Sequence, residues 1–98
     1  MLKGSQRKYL RGLAHGLRPQ VQIGKEGVSP SVIEALERSL EAHELIKVQI
    51  MSERPERQAM SEKIEEQLSC GCVGLIGKMA ILYREHPDPE KRKIKIPA

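Results

Sequence analysis

Aromatic side chains are almost absent from this sequence. Its 98 residues include no Phe and no Trp, and the two aromatic residues are Tyr9 and Tyr83. Proteins that hold single-stranded bases by stacking usually carry several aromatic platforms. If this protein binds a nucleic acid, we therefore expect contacts to phosphates, riboses and overall shape instead of extensive base stacking.

Cysteine is also scarce. Cys70 and Cys72 are too few for a disulfide framework. We predict two reduced thiols near the start of a strand, with side chains on opposite faces, which would make them poor partners for each other or for one metal ion. A redox or metal role stays open as the alternative, and it would need ligands from elsewhere in the chain.

Long hydrophobic runs and enzyme motifs are missing too. No apolar stretch approaches the roughly 20 residues that cross a bilayer, and the N-terminal MLKGSQRKYL lacks the apolar segment of a secretory signal. The sequence contains no P-loop, no HExxH and no spaced zinc ligands, and His15, His43 and His86 share no catalytic partner. We expect a cytoplasmic protein without membrane contact, enzyme activity, cofactor, metal or small-molecule substrate.

Charge is plentiful but unevenly distributed. The net charge is +4, yet residues 1–28 carry six Lys or Arg and one Glu, and residues 29–66 carry five basic and nine acidic residues. Residues 67–98 are basic again, with six Lys or Arg and three acidic residues. If the fold brings the two ends together, one face is basic and the other acidic. This distribution suits a polyanion better than a membrane.

The first segment has the pattern of a half-buried, basic helix from Ser5 to His15. Its apolar stripe at helical spacing is Leu10, Leu13, Ala14 and Leu17. The neighbouring arc of the helix carries Lys3, Arg7, Lys8 and Arg11. A charged helix face is usually only solvated, but such a face ordinarily mixes both signs. The near absence of acidic residues here keeps a binding role open.

Strands and helices alternate along the rest of the chain. The predicted strands are Val21–Ile23, Leu45–Met51, Cys72–Ile76 and Met79–Tyr83. The apolar stripes of the two intervening helices are Val32, Ile33, Leu36 and Leu40, and then Met60, Ile64 and Leu68. The order α-β-α-β-α-β-β predicts a mixed sheet covered by helices, with parallel crossovers and an antiparallel final hairpin.

Capping residues mark where the second and third helices begin. Ser29 is a good N-cap and Pro30 suits the first helical position, while Pro55 begins the third helix. The second helix ends near His43, which falls on the apolar stripe. We predict that His43 is partly buried and favoured by the helix dipole, with a catalytic role as the alternative.

Residues 85–98 form a basic tail in which prolines disfavour regular structure. The alternating KIKI (Lys93–Ile96) could pair weakly along a sheet edge, where lysines discourage aggregation. We expect residues 1–98 to form one domain.

Two glycines three residues apart precede the last strand, in Gly74-Leu75-Ile76-Gly77, and Lys78 follows. A plain hairpin turn needs only Gly77 and Lys78, and it leaves Gly74 unexplained. Alternatively, paired glycines let backbone N–H groups approach a phosphate, as in the GXXG loop of KH modules, and Lys78 adds a charge. Leu75 and Ile76 are either the hydrophobic tip of such a loop or the end of a core strand.

The chain as a whole resembles the CRM domain (chloroplast RNA splicing and ribosome maturation), and more closely its free-standing bacterial version. The matching segments, in order over about residues 1–96, are KYLRGLAHGLRPQVQIGKEGVSPSVI, HELIKVQI and GCVGLIGKMAILYR. The resemblance implies an α+β fold, with an N-terminal helix followed by βαβαββ and a four-stranded mixed sheet packed by helices. This family fold is similar to that of the C-terminal domain of translation initiation factor three.

The same resemblance implies that this protein binds RNA. Bacterial members of the family associate with precursors of the large (50S) ribosomal subunit. We expect this protein to bind RNA as a monomer. The resemblance implies RNA binding by the basic first helix, the glycine loop with the lysine after it, and the end of the last strand, and Lys25 completes the predicted set: Lys3, Arg7, Lys8, Arg11, Lys25, Gly74, Leu75, Ile76, Gly77, Lys78 and Arg84. The sequence departs from the family at Met79-Ala80, where bulkier apolar residues are common, and the CGC around Gly71 has no family role.

Two hypotheses follow. In the first, the basic face and the glycine loop bind ribosomal RNA during large-subunit assembly, and a Gly74→Asp, Gly77→Asp variant folds normally yet loses RNA affinity. In the second, the chain is an adaptor that docks on a ribosomal protein or assembly factor through its acidic middle.

Overall fold

Three α-helices and four strands alternate along the chain in the computed structural model, which describes residues 2–96. The helices are α1 (Gly4–Ala14), α2 (Pro30–His43) and α3 (Arg54–Leu68), and a short 3₁₀ helix covers Pro89–Lys91. The strands are β1 (Val21–Ile23), β2 (Leu45–Ile50), β3 (Gly71–Ile76) and β4 (Met79–Tyr83). The predicted class and element order are confirmed, and the predicted ends differ by about one residue. None of the helices within residues 2–96 is long and apolar enough to span a bilayer.

The four strands form one mixed sheet in the order β1-β2-β4-β3. β1 and β2 are parallel and are joined through α2, as predicted, while β4 runs antiparallel to both of its neighbours, β2 and β3. The final hairpin therefore places its last strand inside the sheet. Ser29 caps α2 as predicted, because its Oγ accepts a hydrogen bond of 3.2 Å from the Val32 N–H.

The sheet separates two apolar clusters because successive strand residues point to opposite faces. On the face that we call the α2/α3 face, the buried residues are Ile23, Leu36, Leu40, Ile46, Val48, Ile50, Ile64, Leu68, Ala80 and Leu82. On the opposite face, called the α1 face, they are Leu10, Ala14, Leu45, Val73, Ile81 and Tyr83. The basic helix α1 thus lies on one side of the sheet, and the acidic helices α2 and α3 lie on the other.

Two predicted burials are wrong. Leu13 is 42% exposed, because α1 rests on the sheet through Leu10 and Ala14 and turns Leu13 away from it. His43 is exposed, because the chain reverses direction at the next residue, Glu44, which has a φ of 63° and is buried in place of the histidine.

The two cysteines are free, and the expectation that their side chains lie on opposite faces is wrong. Cys70 and Cys72 both pack against the α2/α3 core, because residues two apart in an extended chain point to the same side. Burial, with a smaller contribution from Glu65, raises the pKa of the Cys70 thiol to about 11. This thiol is therefore protonated at neutral pH, which makes it a weak nucleophile.

The C-terminal segment is attached to the body of the protein, and no strand includes Lys93–Ile96, so the predicted edge pairing is wrong. Ile94 and Ile96 instead pack their side chains against the α1-face core. The main attachment is the carboxylate of Glu44, which is 0% exposed. It accepts hydrogen bonds from the backbone N–H groups of His86, Lys93 and Ile94.

Candidate functional site

The turn between β3 and β4 contains only Gly77 and Lys78. Ile76 pairs with Met79 at the end of the hairpin, so Gly74 to Ile76 belong to β3 and do not form an open loop. Gly77 has a φ of +58°, a conformation that glycine adopts at little cost and that two-residue hairpin turns require. The predicted four-residue glycine loop is therefore a strand end followed by a tight turn, with the Lys78 side chain exposed at its tip.

Gly74 is explained by the close approach of α1. A Cβ atom at Gly74 would lie 2.7 Å from Cδ and 3.1 Å from Cγ of Arg11. The stem of Arg11 crosses the strand at this point, and its Nη1 donates a hydrogen bond of 2.8 Å to the Val73 carbonyl. Arg7 makes a parallel contact, with Nη2 donating at 2.8 Å to the Cys72 carbonyl. Both acceptors lie at a register shift between Cys72 and Gly74, where β3 carries one extra residue.

A Gly74→Ala substitution should reduce the free energy of unfolding by about 1–2 kcal/mol, since the new methyl group displaces Arg11 from its hydrogen bond. Chemical denaturation measures the loss. Gly71→Ala in the same strand is the matched control, because its Cβ would find its nearest neighbour, the Tyr83 carbonyl oxygen, at 4.0 Å.

The same effect should vanish in an Arg11→Ala background, because the clashing side chain is then gone. An equal loss in both backgrounds would show that Arg11 does not explain Gly74. For the same steric reason, we now expect an aspartate at Gly74 to destabilise the fold as well.

Leu75 and Ile76 have different environments, which resolves the alternatives left open for them. Leu75 packs against the α2/α3 core. Ile76 points to the other face and is 59% exposed. Leu75 is thus a half-buried side chain at the border of the core, and Ile76 is the apolar side chain that the hairpin end presents to solvent.

Arg84 is engaged within the protein and lies away from the hairpin turn. It forms an ion pair with Glu37, lies 3.7 Å from Glu41, and donates to the Leu68 carbonyl at 3.1 Å. The hydrogen bond from Arg84 lowers the pKa of Glu37, and the same bond raises the pKa of Arg84. With its side chain 19% exposed on the α2/α3 face, at the far end of β4 from Lys78, Arg84 does not join the other predicted RNA-binding residues.

The remaining predicted cations fall into two groups. Arg7, Lys8 and Arg11 lie on one flank of α1, with Lys3 just before the helix. Lys78 and Lys25 lie at one end of the sheet, where the Ile50 N–H donates to the Lys78 carbonyl at 2.7 Å and the Lys25 turn follows β1.

The surroundings of Lys25 make it a weaker candidate for RNA binding, and those of Lys47 make it a new candidate. Lys25 borders a cleft with Glu53 and Glu56, so its charge is partly offset by its neighbours. Lys47 was not predicted, yet it lies in β2 on the α1 face, with its Nζ 3.5 Å from the carbonyl of His15. The alternation of β2 around Lys47 is the signal that places it on this face.

A row of four residues crosses the α1 face beyond the end of α1. Gln22 pairs with Gln49, Gln49 with Met79, and Met79 with Ile76. We call it the open row, since none of its members belongs to the core beneath α1. The signal for this row in the sequence is the tripeptide VQI, which was not among the predicted site residues; it occurs twice, in β1 and β2, and its two copies pair in register.

Much of the acidic middle is used inside the fold. Glu37 and Glu41 bind Arg84, and the Glu65 carboxylate accepts a hydrogen bond of 2.8 Å from the Cys72 N–H. Glu44 holds the C-terminal segment. The adaptor hypothesis would therefore have to rely on the other acidic residues of this region, which are exposed: Glu34, Glu53, Glu56, Glu62 and Glu66.

The histidine nearest to a carboxylate is also structural. His86 is buried, its Nε2 lies 2.8 Å from Oε1 of Glu41, and its Nδ1 accepts from the Asp88 N–H at 3.0 Å. Between residues 2 and 96, no three His, Cys, Asp or Glu side chains lie close enough to hold a metal ion.

Bacterial proteins with similar sequences share a common description. A Pseudomonas aeruginosa protein named a probable RNA-binding protein is 37% identical over 91 residues, which is 92% of this chain and 88% of that protein. A Bacillus subtilis protein of the same description is 36% identical over 98 residues and is covered over its whole length, with 99% of this chain aligned.

The fold and the sequence profile agree with these relatives. The solution structure of a hypothetical Staphylococcus aureus protein, for which RNA binding has been suggested, superimposes with a TM-score of 0.83 at 34% identity, over 97% of this chain and 100% of that one. The profile of the CRS1/YhbY (CRM) domain matches residues 2–84. The chain therefore belongs to the CRS1/YhbY (CRM) domain family.

Proposed function

We propose that this protein binds RNA through the α1 face and the adjoining β3–β4 turn, without catalysing a reaction. One observation carries the proposal: neither α1 nor any of the four strands contains an Asp or a Glu. The basic residues of these elements and of the turn are Arg7, Lys8, Arg11, Lys47 and Lys78. A surface of one sign suits a phosphate backbone.

The side chains of this surface have different roles in the proposed contact. Lys8 and Lys78 are exposed, and the structure gives neither an ion-pair partner among residues 2–96, so both can neutralise phosphates. Arg7 and Arg11 use one nitrogen each to hold α1 on β3 and keep further N–H groups for an RNA oxygen. Gly77 has no side chain to obstruct the approach of a backbone at the tip of the hairpin.

The target that we propose is ribosomal RNA in precursors of the large subunit, bound by a cytoplasmic monomer. The names of the bacterial relatives support RNA as the partner, and membership of the CRM family suggests ribosomal RNA as the kind of RNA. Arg84 is left out of the proposed surface because of its ion pairs, and Leu75 because it packs against the α2/α3 core on the other face. Lys3 and Lys25 are peripheral to it.

The salt dependence of binding tests the proposal. Three or four phosphate contacts predict a slope of log K against log salt of about −3, since each contact releases condensed counterions. Fluorescence anisotropy with labelled fragments of large-subunit ribosomal RNA, titrated over a series of KCl concentrations, measures it. A flat salt dependence, or no binding at low salt, would contradict the proposal.

Sedimentation of cell lysates distinguishes RNA from a protein partner. We expect the protein to co-migrate with large-subunit precursors and to leave them after RNase treatment. Co-migration that survives digestion would favour docking on a ribosomal protein or assembly factor instead.

A further inference from the structure

The open row (Gln22, Gln49, Met79 and Ile76) lies on the α1 face for a geometric reason. The strand neighbours of its members, among them Ile23, Val48 and Ala80, are buried on the α2/α3 face. Since side chains alternate along a strand, the row members point the other way. None of them belongs to the core beneath α1, and Gln22 and Ile76 are exposed while Gln49 and Met79 are half-buried.

The row offers hydrogen-bonding groups beside an apolar floor. In the part of the chain that the structure describes, the amides of Gln22 and Gln49 have no hydrogen-bond partner. The two residues stand in register on adjacent parallel strands, and neighbouring strands are about 4.8 Å apart. Met79 and Ile76 continue the same row with two apolar side chains. Across the four strands the row is about 14 Å long.

Cations border this row. Lys78 follows Ile76 after one glycine, Lys47 lies two residues before Gln49 on the same face, and Arg11 crosses β3 at Gly74. Helix α1 and the four strands contain no acidic residue that could pair with positive charges on a peptide or protein partner. A nucleic acid would find its phosphates attracted to the rim and its bases facing amides and apolar side chains.

We propose that the open row binds two or three unpaired RNA bases, so that the protein prefers structured RNA with a short unpaired segment over a continuous duplex. Glutamine amides can bond base edges in a bidentate way, and Met79 and Ile76 supply an apolar surface for a base to lie against, where other four-stranded RNA-binding sheets use aromatic residues. The inference rests on the proposed RNA-binding function and adds the class of RNA to it.

The test compares two RNAs with the same stem, one closed by an unpaired loop and one a blunt duplex of equal length. We expect the parent protein to bind the looped RNA on the order of 10-fold more tightly. The Gln22→Ala, Gln49→Ala variant should lose this preference, keep its affinity for the duplex, and show the same salt slope. Gln58→Ala with Gln67→Ala on α3 is the matched control and should behave like the parent.

Three outcomes separate this inference from the proposed function. Equal binding of looped RNA and duplex by the parent, with the expected salt slope, would overturn the inference and leave the function standing. Equal weakening of both RNAs by the Gln22 and Gln49 substitutions would also overturn it, because the amides would then contact the backbone. No binding of either RNA would overturn both proposals.

Discussion

Replacing Lys8 and Lys78 together by glutamate is expected to weaken RNA binding about 100-fold at moderate salt. Each lysine loses a phosphate contact, worth roughly a slope of 0.7–0.9 in log K against log salt, and each new carboxylate repels the RNA. The salt slope itself should therefore fall by about 1.5. Both side chains are exposed, so the substitutions should leave the free energy of unfolding almost unchanged.

The matched control reverses the same amount of charge on the other side of the sheet. Arg38 on α2 and Lys63 on α3 are exposed, and Arg38 makes only a surface ion pair with Glu34. Replacing both by glutamate should reduce affinity only a few-fold, through the change in net charge. If the two double variants weaken binding equally, overall charge and not the α1 face governs the interaction.

Replacing Glu44 by glutamine is expected to lower the free energy of unfolding by about 2–4 kcal/mol. The buried carboxylate accepts three backbone N–H groups, from His86, Lys93 and Ile94. A glutamine side chain keeps one oxygen and turns an NH₂ group toward these donors. Chemical denaturation measures the loss, and amide hydrogen exchange should accelerate at Lys93 and Ile94 as the C-terminal segment detaches.

The control for this change is Glu85→Gln. Glu85 is exposed and lies 3.4 Å from Arg92 in a surface ion pair, so its loss should cost no more than about 0.5 kcal/mol. Comparable losses for the two variants would show that the Glu44 carboxylate does not hold the segment.

The dependence of the free energy of unfolding on acidic pH provides a second test of the role of Glu44. Burial is the largest single influence and raises the pKa of this carboxyl, but the three N–H donors and nearby His86 together bring its pKa below the ordinary value of 4.5. The folded state then binds fewer protons in acid than the unfolded state does. The stabilisation is complete above pH 4.5 and is lost as the pH falls through the lower, folded-state pKa. Glu44→Gln should flatten this acid dependence.

Elements with strong local signals were predictable from the sequence. Ser29 and Pro30 marked the start of α2, and the stripe of Ile64 and Leu68 marked the buried side of α3, because caps and periodicity depend on neighbouring residues alone. Leu13 and His43 show the limit of such patterns. How a helix rests on a sheet decides which side of its apolar stripe is covered, and that depends on distant residues.

Part of the candidate site was likewise predictable from the sequence, and part depends on contacts between distant residues. The basic character of α1 and of the hairpin tip at Lys78 was visible in the sequence. The ion pair of Arg84 with Glu37 and the passage of Arg11 over Gly74 join residues 47 and 63 positions apart, which no local pattern could indicate. These contacts exclude Arg84 from the proposed binding surface and explain why position 74 is a glycine.

By itself the sequence determined the order of helices and strands, the absence of acidic residues from α1 and the strands, and the glycine that a tight turn requires at position 77. These properties follow from residue type and near-neighbour spacing. Only the tertiary structure decided that β4 lies between β2 and β3, and that Gln22, Gln49, Met79 and Ile76 align in one row on the α1 face. Strand order and register depend on which distant segments bury their apolar faces together, and this choice is made by the whole chain at once.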